Sequence, residues 1–216
     1  MNNPARKIRP DTVGELFVGI EGKIADDGEI LLRGPAIMDG YFNLPEATAD
    51  ALDPEGWFHT GDIGEFDDGY LKITDRKKDL LVLGNGKNVA PQPIENKLRS
   101  SAMIEEAVVL GDGMDSCIAL IVPNYALFRQ RLGEELSDEE ISKHDEVVAS
   151  IKAEVKAINR TLAGFEQVKK HALLGNKFSI EGGELTPTLK VRRRVVSTKY
   201  ASVIEGLVGS SEEAMP

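Results

Sequence analysis

Three clusters in the chain carry residue types that can do chemistry. The first is Gly56-Trp57-Phe58-His59-Thr60-Gly61-Asp62. Its glycines permit a tight loop, and Asp62 ends it at the start of a strand. A carboxylate there can accept two hydrogen bonds from a vicinal diol such as a ribose. A turn aspartate that satisfies nearby backbone N–H groups is the plainer alternative. The second is Asp75-Arg76-Lys77-Lys78-Asp79-Leu80. Three cations and two anions between strands make a solvated linker, and they also suit a hinge that stays hydrated in more than one orientation. The third is Leu185-Thr186-Pro187-Thr188-Leu189-Lys190-Val191-Arg192-Arg193-Arg194. Thr188 is a candidate cap for a helix beginning near Lys190, which would put Lys190 and Arg192 in its first turn. Cations are disfavoured there by about 0.3–1 kcal/mol each, and an anionic ligand at the helix start reverses the sign. An exposed basic helix start with no ligand is the alternative.

Two other patterns fail as sites. Gly84-Asn85-Gly86-Lys87-Asn88 lacks the longer glycine spacing of a phosphate loop and the Ser or Thr after its lysine. His59, His144 and His171 are scattered, and no Cys/His metal spacing occurs. Neither a structural metal site nor a Ser-His-Asp triad is expected. Cys117 opens the apolar run 117–122 and reads as a small core residue rather than a nucleophile.

The elements that must position these clusters change character along the chain. Residues 23–25 and 29–32 flank Asp26-Asp27-Gly28, and 62–66 and 70–73 flank Asp67-Asp68-Gly69. Both are hairpin signals, and close-set hairpins point to a small barrel or an antiparallel sheet. Pro45 starts a short helix over 45–52. After Ile73 the pattern becomes mixed. Strands are expected at 80–83 and 87–89 around Gly84-Asn85-Gly86, then at 107–110, 118–122 and 168–174. Helices are expected from Pro93 to about 100, over 125–132, after a Ser137–Glu140 capping box, over 146–162, and from Lys190 onward. The longest carries Val147, Val148, Ile151, Val155, Ile158 and Leu162 on one face.

The chain has 216 residues, 41% apolar and 29% charged, enough for one large domain or two small ones with a real core. A net charge of −10 repels phosphate backbones and argues against nucleic acid. One cysteine cannot form an internal disulfide, which fits a reducing compartment. The apolar runs are too short for a transmembrane segment. No apolar stretch follows the first residues as a signal peptide would require, so a cytoplasmic protein is expected.

Taken in order, Gly34-Pro35, Gly40-Tyr41-Phe42, Gly56-Trp57-Phe58-His59-Thr60-Gly61-Asp62-Ile63-Gly64, Asp75-Arg76-Lys77-Lys78-Asp79-Leu80 and Leu185-Thr186-Pro187-Thr188-Leu189-Lys190 form a series. It resembles the adenylate-forming superfamily of acyl-CoA synthetases, peptide-synthetase adenylation domains and luciferases, over residues 14–207. Asn88-Val89-Ala90-Pro91 and the form Thr-Pro-Thr-Leu-Lys resemble its long-chain fatty acid–CoA ligase branch. The resemblance implies an α+β chain. Residues 1–74 would be the remnant of a large domain's last subdomain, β-rich and barrel-like. A hinge would occupy 75–78 and a compact α+β C-terminal domain 79–208, with a disordered tail over 209–216.

The same resemblance implies roles and ligands. Asp62 matches the aspartate that holds both ribose hydroxyls of ATP or AMP, and Arg76 the arginine near ribose and phosphate. Lys78 matches the hinge position. Lys190 matches the lysine that reaches the acyl carboxylate and α-phosphate during adenylate formation. Gly86 lies in the turn that replaces that lysine during thioester formation with CoA, near the pantetheine arm; one extra residue in Leu83-Gly84-Asn85-Gly86 alters the family's spacing there. The family's phosphate loop and the Thr-Glu motif whose glutamate binds Mg2+ do not occur in this sequence. The resemblance therefore implies the C-terminal part of a ligase, inactive alone, whose partners are its missing N-terminal domain, a fatty acid and CoA. Peripheral membrane association of the whole enzyme stays open. A binding module with this fold and no chemistry, or an adenylating ligase that loads a carrier protein, are the alternatives.

Overall fold

The computed structural model describes residues 9–133 and 135–209. The chain falls into two compact units, Met1–Leu80 and Leu81–Pro216.

Two Asp-Gly turns organise the first unit. β1 (Glu21–Ile24) pairs with β2 (Glu29–Arg33), β2 with β3 (Phe58–Asp67), and β3 with β4 (Tyr70–Arg76), all antiparallel. The result is a four-stranded meander, the antiparallel form that the hairpin signals predict. In the β3–β4 turn Asp68 and Gly69 have φ of 50° and 83°, the left-handed pair that a two-residue turn needs to match strand twist. The short helix α1 (Pro45–Ala51) lies between β2 and β3, with proline in its first turn. Ile30, Leu31, Trp57, Tyr70 and Leu71 form the buried apolar set. Trp57 is fixed as the chain enters β3. Asp53 Oδ1 accepts the N–H groups of Glu55 and Trp57, and the indole lies beside Lys23 Nζ and the Arg33 guanidinium, 4.2 and 4.4 Å from the ring centre.

In the second unit β7 (Ile104–Leu110) pairs antiparallel with β8 (Cys117–Pro123), and β8 pairs parallel with β9 (Val168–Leu173). Every residue of β8 is buried, as a central strand covered on both faces requires. A minor ladder joins β5 (Leu81–Val82) to β6 (Asn88–Val89). The core takes Ile94 and Leu98 from α2 (Pro91–Arg99), Tyr125 and Phe128 from α3 (Tyr125–Leu132), and Val147, Ile151 and Val155 from α5 (Asp145–Asn159). The Ser137–Glu140 capping box opens α4 (Asp138–Lys143). Two short helices follow, α6 (Arg193–Lys199) and α7 (Ala201–Gly209).

Three helix boundaries differ from the sequence expectation. Helix α2 begins at Pro91, not Pro93, because Ala90 is still extended and Pro91 takes the first helical position, where a missing N–H costs nothing. Helix α5 ends at Asn159 rather than near Leu162. The Asn159 side chain leaves the helix register to hold β9, its Nδ2 donating to Val168 O at 2.8 Å and its Oδ1 accepting from Val168 N–H at 2.9 Å. The last helix starts at Arg193, not Lys190, for a reason given below. Gly209 ends α7, so the tail expected from that residue begins inside a helix; its remainder, 210–216, lies outside the described residues, as do residues 1–8, on which the signal-peptide expectation falls. Among the described residues no helix is long and apolar enough to cross a membrane.

Asn159→Ala should lower the stability of the second unit by about 1–3 kcal/mol, since two partly buried hydrogen bonds are lost and both Val168 groups are left unpaired. Denaturant titration followed by far-UV circular dichroism checks this. The midpoint should fall at constant slope.

Candidate functional site

The β2–β3 ladder does not run evenly. Glu29 faces Ile63 and Leu31 faces His59, so Ile30 alone is opposed by Thr60, Gly61 and Asp62. The excess residues form a bulge. Gly61 sits there at φ 68°, a left-handed conformation that a side chain would strain. The bulge N–H groups lose ladder partners and take side-chain ones instead. Gly61 N–H donates to Glu29 Oε1 at 2.9 Å and Asp62 N–H to Thr60 Oγ1 at 3.1 Å, while Thr60 Oγ1 donates to Ile30 O at 2.7 Å.

Asp62 leaves this bulge directly opposite Arg76 on β4. Arg76 Nε lies 2.7 Å from Asp62 Oδ1, yet Oδ1 is buried without an aligned hydrogen bond. The contact is an ion pair that leaves acceptor capacity unused. The Asp62 side chain is 20% exposed and Arg76 59%. A partly reachable carboxylate with free lone pairs beside a guanidinium fits a pair of hydroxyls next to a phosphate. The residues present therefore suit a ribonucleotide.

Glu29 was not singled out from the sequence, nor was Thr60 as a hydrogen-bonding group. Glu29 is 3% exposed. Its Oε2 meets His59 Nδ1 at 3.0 Å and the Lys77 ammonium at 2.9 Å. Lys77 also pairs with Asp27 at 2.7 Å. Burial pushes the Glu29 carboxyl up, but Lys77, His59 and the Gly61 N–H outweigh it and hold the group below the usual glutamate range. The hydrogen bonds to Asp27 and Glu29 raise the Lys77 ammonium above its ordinary value. Lys77 opens a single 3₁₀ turn, Lys77–Asp79. Lys78, in the middle of that turn, is exposed, and its side chain has no hydrogen bond or ion pair with any described residue.

Gly86 and Lys190 lie on two separate turns of the second unit. Gly86 is exposed at φ 77° in the β5–β6 turn, where its N–H donates to Leu83 O at 2.8 Å and Leu83 N–H to Lys87 O at 2.9 Å. Lys190 ends a closed turn. Leu185 and Val191 form an antiparallel bridge. Thr186 N–H donates to Lys190 O at 2.8 Å, Lys190 N–H to Thr186 Oγ1 at 3.0 Å, and Leu189 N–H to Thr186 O at 2.8 Å. Leu189 sits at φ 60°, outside helical space.

This turn overturns the helix-start reading of the third cluster. Thr188 caps nothing; its hydroxyl pairs with that of Thr186 at 3.0 Å. Lys190 and Arg192 precede α6, whose N-cap Arg192 gives no side-chain bond, and so the helix-dipole argument does not apply to Lys190. What remains is an exposed ammonium with no hydrogen bond or ion pair to a described residue. The base of the turn is held firmly. Arg192 N–H donates to Glu184 O at 2.7 Å, and the buried Glu184 carboxylate pairs with Lys199. Arg193 pairs with buried Glu95 at 2.6 Å and donates from Nε to Val109 O at 3.2 Å.

Residues 78–212 match the family model described as AMP-binding enzyme C-terminal domain. Long-chain-fatty-acid–CoA ligase FadD15 of Mycobacterium tuberculosis is 41% identical over 208 residues, 93% of this chain and 34% of its own length. Long-chain-fatty-acid–CoA ligase 1 of Homo sapiens is 37% identical over 212 residues, 94% of this chain and 30% of its own. The chain thus spans about a third of the length of the curated relatives it matches. Among solved structures, the A domain of carboxylic acid reductase from Segniliparus rugosus, in complex with AMP and a co-purified carboxylic acid, superposes with a TM-score of 0.69 at 24% identity, covering 89% of this chain and 32% of that one. That likeness concerns the fold.

The depressed carboxyls make an acid limb. Asp27 and Glu29 titrate in the folded unit below their ordinary values of about 3.9 and 4.3. Their stabilisation is complete above those values and is lost as pH falls through the lower folded ones. Trp57 is the chain's one tryptophan and reports on the first unit. Its thermal transition should be flat between about pH 7 and 5 and fall below about pH 4. Glu29→Gln should lower the plateau and flatten the fall. A wild-type acid limb retained in Glu29→Gln would assign it to other groups.

Proposed function

The chain belongs to the AMP-binding enzyme C-terminal domain family, and we propose that it is the C-terminal part of an ATP-dependent long-chain fatty acid–CoA ligase. The observation that carries this reading is the near-complete alignment, 93% and 94% of the chain, with two ligases named for that activity. The Asp62–Arg76 pair supports it from the site itself. We place the reaction in the cytoplasm and in a longer protein whose N-terminal portion supplies the phosphate loop, the acyl pocket and most of the adenine pocket.

The reaction has two steps. A fatty carboxylate oxygen attacks the α-phosphorus of ATP, the bond to the β-phosphate oxygen breaks, and acyl-adenylate and pyrophosphate result. The CoA sulfur then attacks the acyl carbon, AMP leaves, and the thiol proton passes to solvent. The first step brings two anions together, which calls for positive charge between them. In this reading Asp62 takes the ribose hydroxyls and Arg76 lies against the nucleotide between ribose and phosphate. Lys190, on its anchored turn, brings an otherwise uncommitted ammonium to the carboxylate and α-phosphate. For the second step the C-terminal unit turns about Lys78, taking Lys190 away and bringing the Gly86 turn towards the pantetheine arm. Among the described residues no three His, Cys, Asp or Glu side chains come together as a metal site.

Incubated with ATP, magnesium and palmitate, the 216-residue chain should release no pyrophosphate above a heat-killed control. Sustained release would contradict the reading of the chain as one part of the machinery. In the complete gene product, Lys190→Ala should slow adenylate formation by roughly 10²–10³-fold and spare thioester formation from supplied acyl-adenylate. Intact pyrophosphate exchange in that variant would remove Lys190 from the chemistry. Equal loss in both steps would reduce it to general positive charge.

A further inference from the structure

The ligase reading uses Asp62 and Lys78 and leaves the most buried carboxylate of the first unit's polar cluster without a task. Glu29 has partners from separate segments. Gly61 N–H and His59 Nδ1 come from β3, and Lys77 Nζ comes from just past β4. β3 lies between β2 and β4 in the sheet, so the Glu29–Lys77 pair spans one whole strand. Asp27, in the turn before β2, takes the same ammonium at 2.7 Å. Lys77 is therefore tied to the β1–β2 hairpin by two carboxylates, while the next side chain, Lys78, has no partner among the described residues. Lys77 is thus the last side chain tied to the hairpin, and Lys78 follows it inside a 3₁₀ turn that Leu80 N–H closes on Lys77 O at 3.3 Å.

Resting on that ligase reading, we propose that Glu29 is a positioning residue for two places at once: Oε1 holds the bulge that presents Asp62 to the nucleotide, and Oε2, with Asp27, pins Lys77 so that rotation of the chain begins at Lys78. The two oxygens divide the work. Loss of the bond to Gly61 lets the bulge collapse towards even pairing and withdraws Asp62, a misplacement of the size that costs large factors in rate. Loss of the bond to Lys77 leaves Asp62 in place and frees a residue on the fixed side of the hinge, so that the swing between the two half-reactions is less well defined.

The two effects separate in the complete gene product with Glu29→Ala, Glu29→Gln and Lys77→Met. Three quantities are read: KM for ATP and kcat in pyrophosphate release, the rate of thioester formation from supplied acyl-adenylate, and amide exchange by mass spectrometry in peptides covering 58–67 and 76–82. Glu29→Ala should raise KM for ATP roughly tenfold or more and deprotect 58–67. Glu29→Gln keeps an acceptor for the Gly61 N–H and should bring that KM back to within about threefold of wild type. Lys77→Met should raise exchange in 76–82 and slow thioester formation about threefold or more relative to adenylate formation, with a smaller effect on KM for ATP. Variants that all behave as wild type, or that lose KM, kcat and both half-reactions together in proportion to lost thermal stability, would overturn the proposal and leave Glu29 an ordinary buried ion-pair partner. If the wild type makes neither adenylate nor thioester with any fatty acid, the ligase reading falls by itself. Exchange then still decides: deprotection of 58–67 in Glu29→Ala supports the Glu29 assignment, and unchanged protection refutes it.

Discussion

Three residues of β3 must be accommodated opposite one residue of β2, and the local order of the first unit follows from how that excess is satisfied. A bulge in the interior of a sheet exposes N–H groups that the ladder cannot pair, and unpaired buried donors are costly. Here the Glu29 carboxylate and the Thr60 hydroxyl take them. Burying Glu29 would itself be unfavourable without compensation, and the compensation comes from Lys77, His59 and Gly61. The bulge thus needs the carboxylate, the carboxylate needs its donors, and the outcome is an aspartate ion-paired with Arg76 whose buried Oδ1 has no aligned hydrogen bond.

The second unit meets a different constraint at Lys190. On the proposed reading this ammonium reaches a ligand, which requires it to be unengaged at rest on a well-defined backbone. The turn resolves this by closing on itself through Thr186 and by being held at its exit. Arg193 is paired with Glu95 against β7, and Glu184 O accepts the Arg192 N–H across the base of the turn. Leu189 occupies the left-handed region, at a cost of roughly 1–2 kcal/mol for a residue with a Cβ, and the surrounding hydrogen bonds keep it there. A rigid base and an unengaged tip are what the role proposed for Lys190 requires.

Much of the fold was legible because it is written in local chemistry. The Asp-Gly turns of the first unit, the Ser137–Glu140 box and the periodic face of Val147, Ile151 and Val155 each act within a few residues of themselves and are where the sequence placed them, whereas Val148, expected on the same face, is exposed and Leu162 lies beyond the helix. The features that escaped depend on distant partners or on hidden backbone geometry. The α5 terminus is set by Asn159 reaching Val168 across a loop. The helix expected at Lys190 is pre-empted by a left-handed leucine, where a glycine would have announced the turn. Glu29 begins an ordinary-looking strand, and only tertiary structure reveals that its carboxylate is buried among donors from β3 and from the turn after β4. The motif residues Asp62 and Arg76 could be named from the sequence, but their placement opposite each other rests on a β3–β4 register shift at Ile63 and Gly64 that no local signal marks.

The account stands on Asp62 meeting a ribose. A crystal structure of the complete gene product with AMP tests that directly. Both ribose hydroxyls should lie about 3 Å from the Asp62 carboxylate oxygens, with the Arg76 guanidinium turned to the nucleotide and the Gly61 bulge unchanged. AMP bound with its ribose hydroxyls held by other residues, and Asp62 still paired to Arg76 alone, would contradict it.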